Sequence, residues 1–162
     1  KYQLSNITAL EQFYLATVHR AENTDDWQRL QNIFTAFSQL DAPVILPLHP
    51  RTQKKLTNIK YSKNVHIVEP VSYLQMLLLL KSCKKALTDS GGLQKEAYFL
   101  QKPCVTLRDE TEWIETLEGN WNFVVGADVE QILAKVQHTN FGKQGNHYGD
   151  GHAAEKIVSA LN

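Results

Sequence analysis

The sequence is short of several features that mark broad protein classes. Neither sign of charge is in excess: Lys plus Arg and Asp plus Glu both number 17, so the formal net charge is zero. A chain without a net field has no bulk electrostatic pull toward nucleic acid or an anionic membrane, so phosphate recognition has to be local. Long apolar runs are missing as well. The longest, Leu77-Leu78-Leu79-Leu80, is far short of the roughly 20 residues that span a bilayer; with Tyr73, Leu74 and Met76 beside it, it reads as a buried helix. The first residues carry none of the basic, apolar and small-residue regions of a secretory signal. Cysteine is scarce: Cys83 and Cys104 have neither metal-ligand spacing nor a disulfide pattern. Both are expected as small core residues in a reducing, cytoplasmic setting.

Catalytic signatures are also few. No histidine, cysteine and carboxylate cluster spells a zinc site, and no Ser/His/Asp or Cys/His order suggests a covalent nucleophile. The first strand-to-helix turn lacks the glycine fingerprint of a dinucleotide site, which argues against hydride transfer. Internal repeats, low-complexity tracts and flexible linkers are absent. The chain begins at Lys1 without Met and passes from a polar stretch almost directly into an apolar strand; the expectation is a piece excised from a larger protein.

What is present is an alternation. The 162 residues suffice for one domain with a real core. Phe13-Tyr14-Leu15-Ala16-Thr17-Val18 is short, apolar and rich in β-formers, as a strand buried on both faces should be. A helix follows with Thr24 or Asp25 expected as its cap, and Trp27, Leu30, Ile33, Phe34 and Phe37 at helical spacing. Val44 to Leu48 is a second strand, expected to end early or lie near an edge because Pro47 has no N–H to give. Pro50 suits the first turn of a short helix toward Leu56. Strands at Val65–Val68, Lys85–Thr88, Cys104–Leu107 and Asn122–Val125 then alternate with helices at Ser72–Ser82, Leu93–Leu100, Asp128–Val136 and Ala153–Leu161. This pattern predicts an α/β domain: a parallel sheet with helices on both faces and right-handed crossovers.

In such sheets ligands sit beyond the carboxyl ends of the strands. The chain puts chemistry there repeatedly. His19 and Arg20 follow the first strand, His49 and Arg51 the second, Ser90-Gly91-Gly92 the fourth, and Arg108 and Glu112 the fifth. Two glycines at a helix N-terminus leave backbone N–H groups facing outward, where the helix end carries partial positive charge and suits a phosphate oxygen. Glu96 lies one helical turn past Gly92, placed to accept hydrogen bonds from paired hydroxyls such as those of a ribose. Together these suggest a nucleotide held by its phosphates and its sugar.

Four stretches carry a family resemblance: His19-Arg20-Ala21-Glu22-Asn23, Asp89 to Ala97 (Asp-Ser-Gly-Gly-Leu-Gln-Lys-Glu-Ala), Arg108-Asp109-Glu110-Thr111-Glu112-Trp113, and Tyr148-Gly149-Asp150-Gly151. In order and spacing the chain resembles the C-terminal half of the non-hydrolysing UDP-N-acetylglucosamine 2-epimerases, from about residue 11 to the end. The resemblance implies a Rossmann-like half of a glycosyltransferase-B type two-domain enzyme, with residues 1–162 as one UDP-binding domain. It implies inversion at C2 of the sugar through elimination and re-addition of UDP, with no metal or redox cofactor. By the same resemblance Ser90, Gly91 and Gly92 hold the diphosphate, Glu96 the ribose, and His19 lies by the leaving group. Arg20, Met76 and Arg108 are further substrate-binding positions, and His49 matches a position near a second, activating UDP-sugar site. Met76 stands where an aromatic is familiar near the uracil, and Trp113 where an arginine can occur. The Glu-Thr-Glu-Trp variant is also similar to relatives that epimerise UDP-linked 2,3-diacetamido uronic acids. The partners implied are a UDP-sugar substrate, the missing N-terminal domain and a second copy in a cytoplasmic homodimer, with neither nucleic acid nor membrane. A UDP-sugar glycosyltransferase donor half and a free-standing nucleotide-sugar sensor are the alternative functions.

Overall fold

A computed structural model of the chain describes residues 12–48 and 50–161, with the backbone alone at 50 and 51. In chain order the elements are β1 (Tyr14–Thr17), α1 (Ala21–Thr24), α2 (Trp27–Ser38), β2 (Val44–Pro47), α3 (Pro50–Gln53), a 3₁₀ turn at Lys54–Leu56 and β3 (Val65–Val68). Then follow α4 (Tyr73–Ser82), β4 (Lys85–Thr88), α5 (Gly91–Phe99), β5 (Cys104–Thr106), a kinked 3₁₀ segment at Ile114–Asn120, β6 (Asn122–Val124), α6 (Val129–Gln137) and α7 (Ala153–Leu161). The six strands form one parallel sheet in the order β3-β2-β1-β4-β5-β6. The expected Rossmann-like α/β fold is the one observed.

Because successive strand residues face opposite sides, β1 divides its side chains between two apolar layers. Tyr14, Ala16 and Val18 join the layer of Leu30, Ile33, Phe34 and Phe37 from α2 and Ile132 and Val136 from α6. Phe13 and Leu15 join the opposite layer with Leu79 and Leu80 of α4 and Leu93 and Ala97 of α5. Both cysteines belong to this second layer, and burial pushes the thiol of Cys83 up to about 11 and that of Cys104 up to about 12. They are packing residues, as the sequence suggested.

Three local features refine the sequence reading. Pro47 is the last residue of β2, which is next to the edge strand β3. Val44 and Leu48 point their N–H groups at β3, so position 47 faces β1, and the β1 pairing has already stopped at Ile45. The missing donor is therefore harmless. The cap of α2 is Asp26, whose side chain accepts from the Arg29 N–H at 2.9 Å, and not Thr24 or Asp25, because the extra turn α1 takes up Ala21–Thr24. Helix α5 begins earlier than Leu93: Gly91 and Gly92 are its first two residues and Ser90 its N-cap. Asp128 caps α6 as expected, accepting from the Gln131 N–H at 2.8 Å.

Lys85, the first residue of β4, is buried and its ammonium donates to the carbonyls of Lys135, Val136 and His138 at 3.0, 2.7 and 2.8 Å. It closes the C-terminal end of α6 against the sheet, where unpaired carbonyls and the negative end of the helix dipole favour a cation. The chain after α6 crosses α5, with the Tyr98 hydroxyl donating to the Gly145 carbonyl and Tyr148 set edge-on to Tyr98 and Phe99. The Tyr148-Gly149-Asp150-Gly151 turn precedes α7 as expected: Asp150 accepts from the His152 N–H and from Lys156, and both glycines take positive φ. No described helix is long and apolar enough to cross a membrane.

Candidate functional site

The chain runs outward one way through β1, β2 and β3, and the other way through β4, β5 and β6, so the connection direction reverses between β1 and β4. That reversal opens a crevice at the carboxyl ends of the two strands, the place where open α/β sheets take ligands. A cleft of about 330 Å³ lies there. Thr17, Val18 and His19 line it from the end of β1, Pro47 from β2, Pro70 and Val71 from the β3–α4 connection, and Met76 from α4. Ser90, Gly92, Leu93 and Glu96 line it from the start of α5.

Asp89 organises the β1 side. Its carboxylate is fully buried and accepts the backbone N–H groups of His19 and Arg20, each at 2.9 Å, and the Asn23 amide at 3.2 Å. The His19 Nδ1 lies 3.0 Å from Asp89 Oδ1, while the ring itself is half-exposed. The hydrogen bond to Asp89 raises the His19 pKa above its ordinary value, against smaller opposing effects of burial and the Arg20 charge. Burial works to raise the Asp89 pKa, but the bond and charge of His19 with the backbone N–H groups of Arg20 and His19 outweigh it, and the net direction is down. Asn23 extends the brace: it is fully buried, donates to the Leu107 carbonyl at 2.8 Å, and accepts from Arg29 Nε at 3.1 Å.

The α5 side supplies donors. Its first N–H groups have no carbonyl behind them, and the Ser90 side chain takes only the Leu93 N–H, at 3.4 Å. The two glycines are not equivalent. A Cβ on Gly92 would meet only the Ser90 Oγ, at 3.9 Å, so this residue opens onto the cleft. Gly91 is buried, and a Cβ there would collide with the Glu112 carboxylate and lie 3.2 Å from Trp113 Nε1. Glu96 is a turn further on, where its charge raises the pKa of the neighbouring Tyr73 phenol.

The structure therefore brings His19, Met76, Ser90, Gly92 and Glu96 together on one cleft and sets three other expected residues beside it. Arg20 gives Asp89 its N–H but does not line the cleft. Gly91 lies beneath Glu112. Arg108 is buried off the cleft, with Nη1 donating to Glu112 at 2.6 Å and Nε 3.6 Å from Glu22. The Glu112 pKa is lowered, first by its own backbone N–H and then by Arg108 and Arg20. His49 falls outside the described residues. Asp89 and Asn23, which position the β1 loop, went unassigned in the sequence reading although both sit inside its motifs. Among the described residues no group of three or more His, Cys, Asp or Glu is placed to hold a metal ion. Backbone donors and an imidazole on one side, a carboxylate further in and an apolar wall of Pro47, Pro70, Val71 and Met76 suit a ligand with an anionic centre, hydroxyls and a flat apolar end.

Fold and cleft together define a Rossmann-like domain with an open cleft at its switch point. The family model for UDP-N-acetylglucosamine 2-epimerase matches residues 1–162, and the chain belongs to that family. It is 46% identical over 159 residues to a UDP-N-acetylglucosamine 2-epimerase homolog of Methanococcus maripaludis, covering 93% of this chain and 44% of that protein. It is also 46% identical over 156 residues to a UDP-2,3-diacetamido-2,3-dideoxy-D-glucuronate 2-epimerase of Pseudomonas aeruginosa, covering 92% of this chain and 44% of that protein. The crystal structure of a Methanocaldococcus jannaschii UDP-GlcNAc 2-epimerase with UDP-GlcNAc and UDP superposes with a TM-score of 0.80 at 36% identity, over 98% of this chain and 48% of that one. The chain spans about half the length of the curated relatives it matches.

Proposed function

We propose that this chain is the C-terminal, UDP-sugar-binding domain of a non-hydrolysing UDP-N-acetylglucosamine 2-epimerase, one Rossmann-like half of a glycosyltransferase-B type enzyme. The observation that carries the reading is the cleft between β1 and β4, where Ser90 and Gly92 at the start of α5 face His19 with Glu96 one turn beyond. In this reading the N-terminal amides of α5 hold the diphosphate and Glu96 takes the ribose hydroxyls. The apolar wall carrying Met76 takes the uracil. His19, its Nδ1 turned to Asp89, offers charge and a proton to the oxygen that leaves C1 as UDP departs. The groups that move the proton at C2 are assigned to the other half of the enzyme, so the chain alone is expected to bind UDP weakly and not to epimerise. Of the expected residues beside the cleft, exposed Arg20 is the one free to meet substrate once that half closes over it, while Gly91 lies beneath Glu112 and Arg108 is held by Glu112 and Glu22.

A second substrate has a specific observation in its favour. The relative named for a UDP-2,3-diacetamido uronic acid is as similar to this chain as the UDP-N-acetylglucosamine 2-epimerase homolog, at 46% identity for each. The test uses the full-length protein with each UDP-sugar and follows the product by NMR. A C2-inverted nucleotide sugar supports epimerisation and its identity picks the substrate. A new glycoside with release of UDP contradicts the reading in favour of a glycosyltransferase, and tight sugar binding without turnover contradicts it in favour of a sensor. In this reading the working protein is a cytoplasmic homodimer, and light scattering on the full-length chain checks the dimer.

A further inference from the structure

We propose that Asp89 is a positioning residue for His19, fixing its ring so that Nε2 alone is left to the cleft, a donor once the ring is protonated. The buried carboxylate does two things at once. It gathers the His19 and Arg20 backbone N–H groups, which fixes the turn that carries the ring, and it takes the ring's Nδ1 at 3.0 Å. With Nδ1–H held in this way, the neutral ring must keep its lone pair on Nε2, the reverse of the tautomer a free histidine side chain favours. Once protonated, the ring presents a single N–H and its charge to whatever anion the cleft holds.

A latch for the backbone alone would not need this arrangement. The two N–H groups and the Asn23 amide already satisfy a buried carboxylate, yet the imidazole is aligned on it as well. The charged groups around the ring are Asp89 at the end of β4, Arg20 next along the chain, and Glu96 on α5 across the cleft. The remaining lining from β2, the β3–α4 connection and α4, namely Pro47, Pro70, Val71 and Met76, is uncharged. Asp89 is thus the anion in hydrogen-bond contact with His19, and the ring's charge depends chiefly on it. The proposal depends on the nucleotide-sugar reading only for what Nε2 is aimed at.

The test is a ligand-free titration of the His19 ring by long-range ¹H–¹⁵N NMR on the 162-residue chain. Expected in the wild type are an Nδ1–H neutral tautomer and a midpoint above the ordinary 6.5. In Asp89→Asn the midpoint should fall by about one pH unit or more, and the tautomer should shift to Nε2–H. A wild-type ring that is Nε2–H with an ordinary midpoint overturns the proposal, and so does an Asp89→Asn ring that titrates as the wild type does. If Asp89→Asn does not fold, the wild-type tautomer and midpoint decide alone. Adding UDP to the same sample keeps the two ideas apart. Failure of UDP to shift the cleft amides removes the nucleotide-sugar reading while leaving the Asp89–His19 pair intact, and an ordinary ring removes the pair whether or not UDP binds.

Discussion

Removing the Asn23 side chain should loosen the whole rim of the site. Asn23 is fully buried and touches three parts of the structure: Asp89 at the end of β4, the Leu107 carbonyl after β5, and Arg29 on α2. In Asn23→Ala the Leu107 carbonyl, itself fully buried, loses its donor, and an unsatisfied buried acceptor costs about 1–3 kcal/mol. Asp89 keeps its bonds from His19 and Arg20 and loses one of its donors, worth about 1 kcal/mol. Arg29 costs little, since its side chain is partly exposed and still pairs with Asp109 through two bonds of 3.1 Å. The sum is about 3 kcal/mol, or roughly 6–12 °C in Tm for a domain of this size. Urea melts of wild type and variant should show this loss with an unchanged m value. Asn23→Asp places a second carboxylate against Asp89, so its penalty should be larger at pH 7 than at pH 4.5, where protonation can relieve it. A loss below about 0.5 kcal/mol for Asn23→Ala would refute the idea that this side chain ties the strand tips together.

Gly92→Ala separates folding from binding: a methyl there meets only the Ser90 Oγ at 3.9 Å, so stability should hold or rise by about 0.5 kcal/mol. UDP affinity should nonetheless fall at least about tenfold by calorimetry, because the methyl faces the cleft; unchanged affinity would move the diphosphate elsewhere. Lys85→Met keeps the stem but strips the donor from three carbonyls. A loss of about 2 kcal/mol is expected in urea melts, with faster hydrogen exchange at the end of α6, and an unchanged melt contradicts the capping role. The His19–Asp89 pair gives stability a pH signature. The raised His19 pKa makes its share complete below pH 6.5 and lost as pH rises through the folded value; the lowered Asp89 pKa makes its share complete above 3.8 and lost as pH falls through the folded value. The stability gap between wild type and Asp89→Asn should therefore be widest between about pH 4 and 6.5, and a gap independent of pH would contradict the pairing.

The sheet was legible because each strand is a short apolar run closed by a turn, and that pattern survives any tertiary arrangement. Helix starts were less so. Thr24, Asp25 and Asp26 are all capping residue types, and only the presence of a separate turn at Ala21–Thr24 passes the role to Asp26. The cleft residues His19, Ser90, Gly92 and Glu96 could be gathered from sequence since parallel strands put their ends on one rim. Arg108 shares that rim, but its nearby carboxylates Glu112 and Glu22 draw it aside. The braces were hidden for a different reason: Asp89 reaches His19 across 70 residues of chain and Asn23 reaches Leu107 across 84. A buried polar residue of that kind shows in sequence only as one more letter of a motif.

If the crevice between β1 and β4 takes UDP, titrating the ¹⁵N-labelled chain with UDP will report it residue by residue. Saturable shifts are expected at the Ser90, Gly92 and Glu96 amides and at the His19 ring, with the far ends of α2 and α6 unmoved. Shifts confined to other surfaces, or none at millimolar UDP, would contradict it.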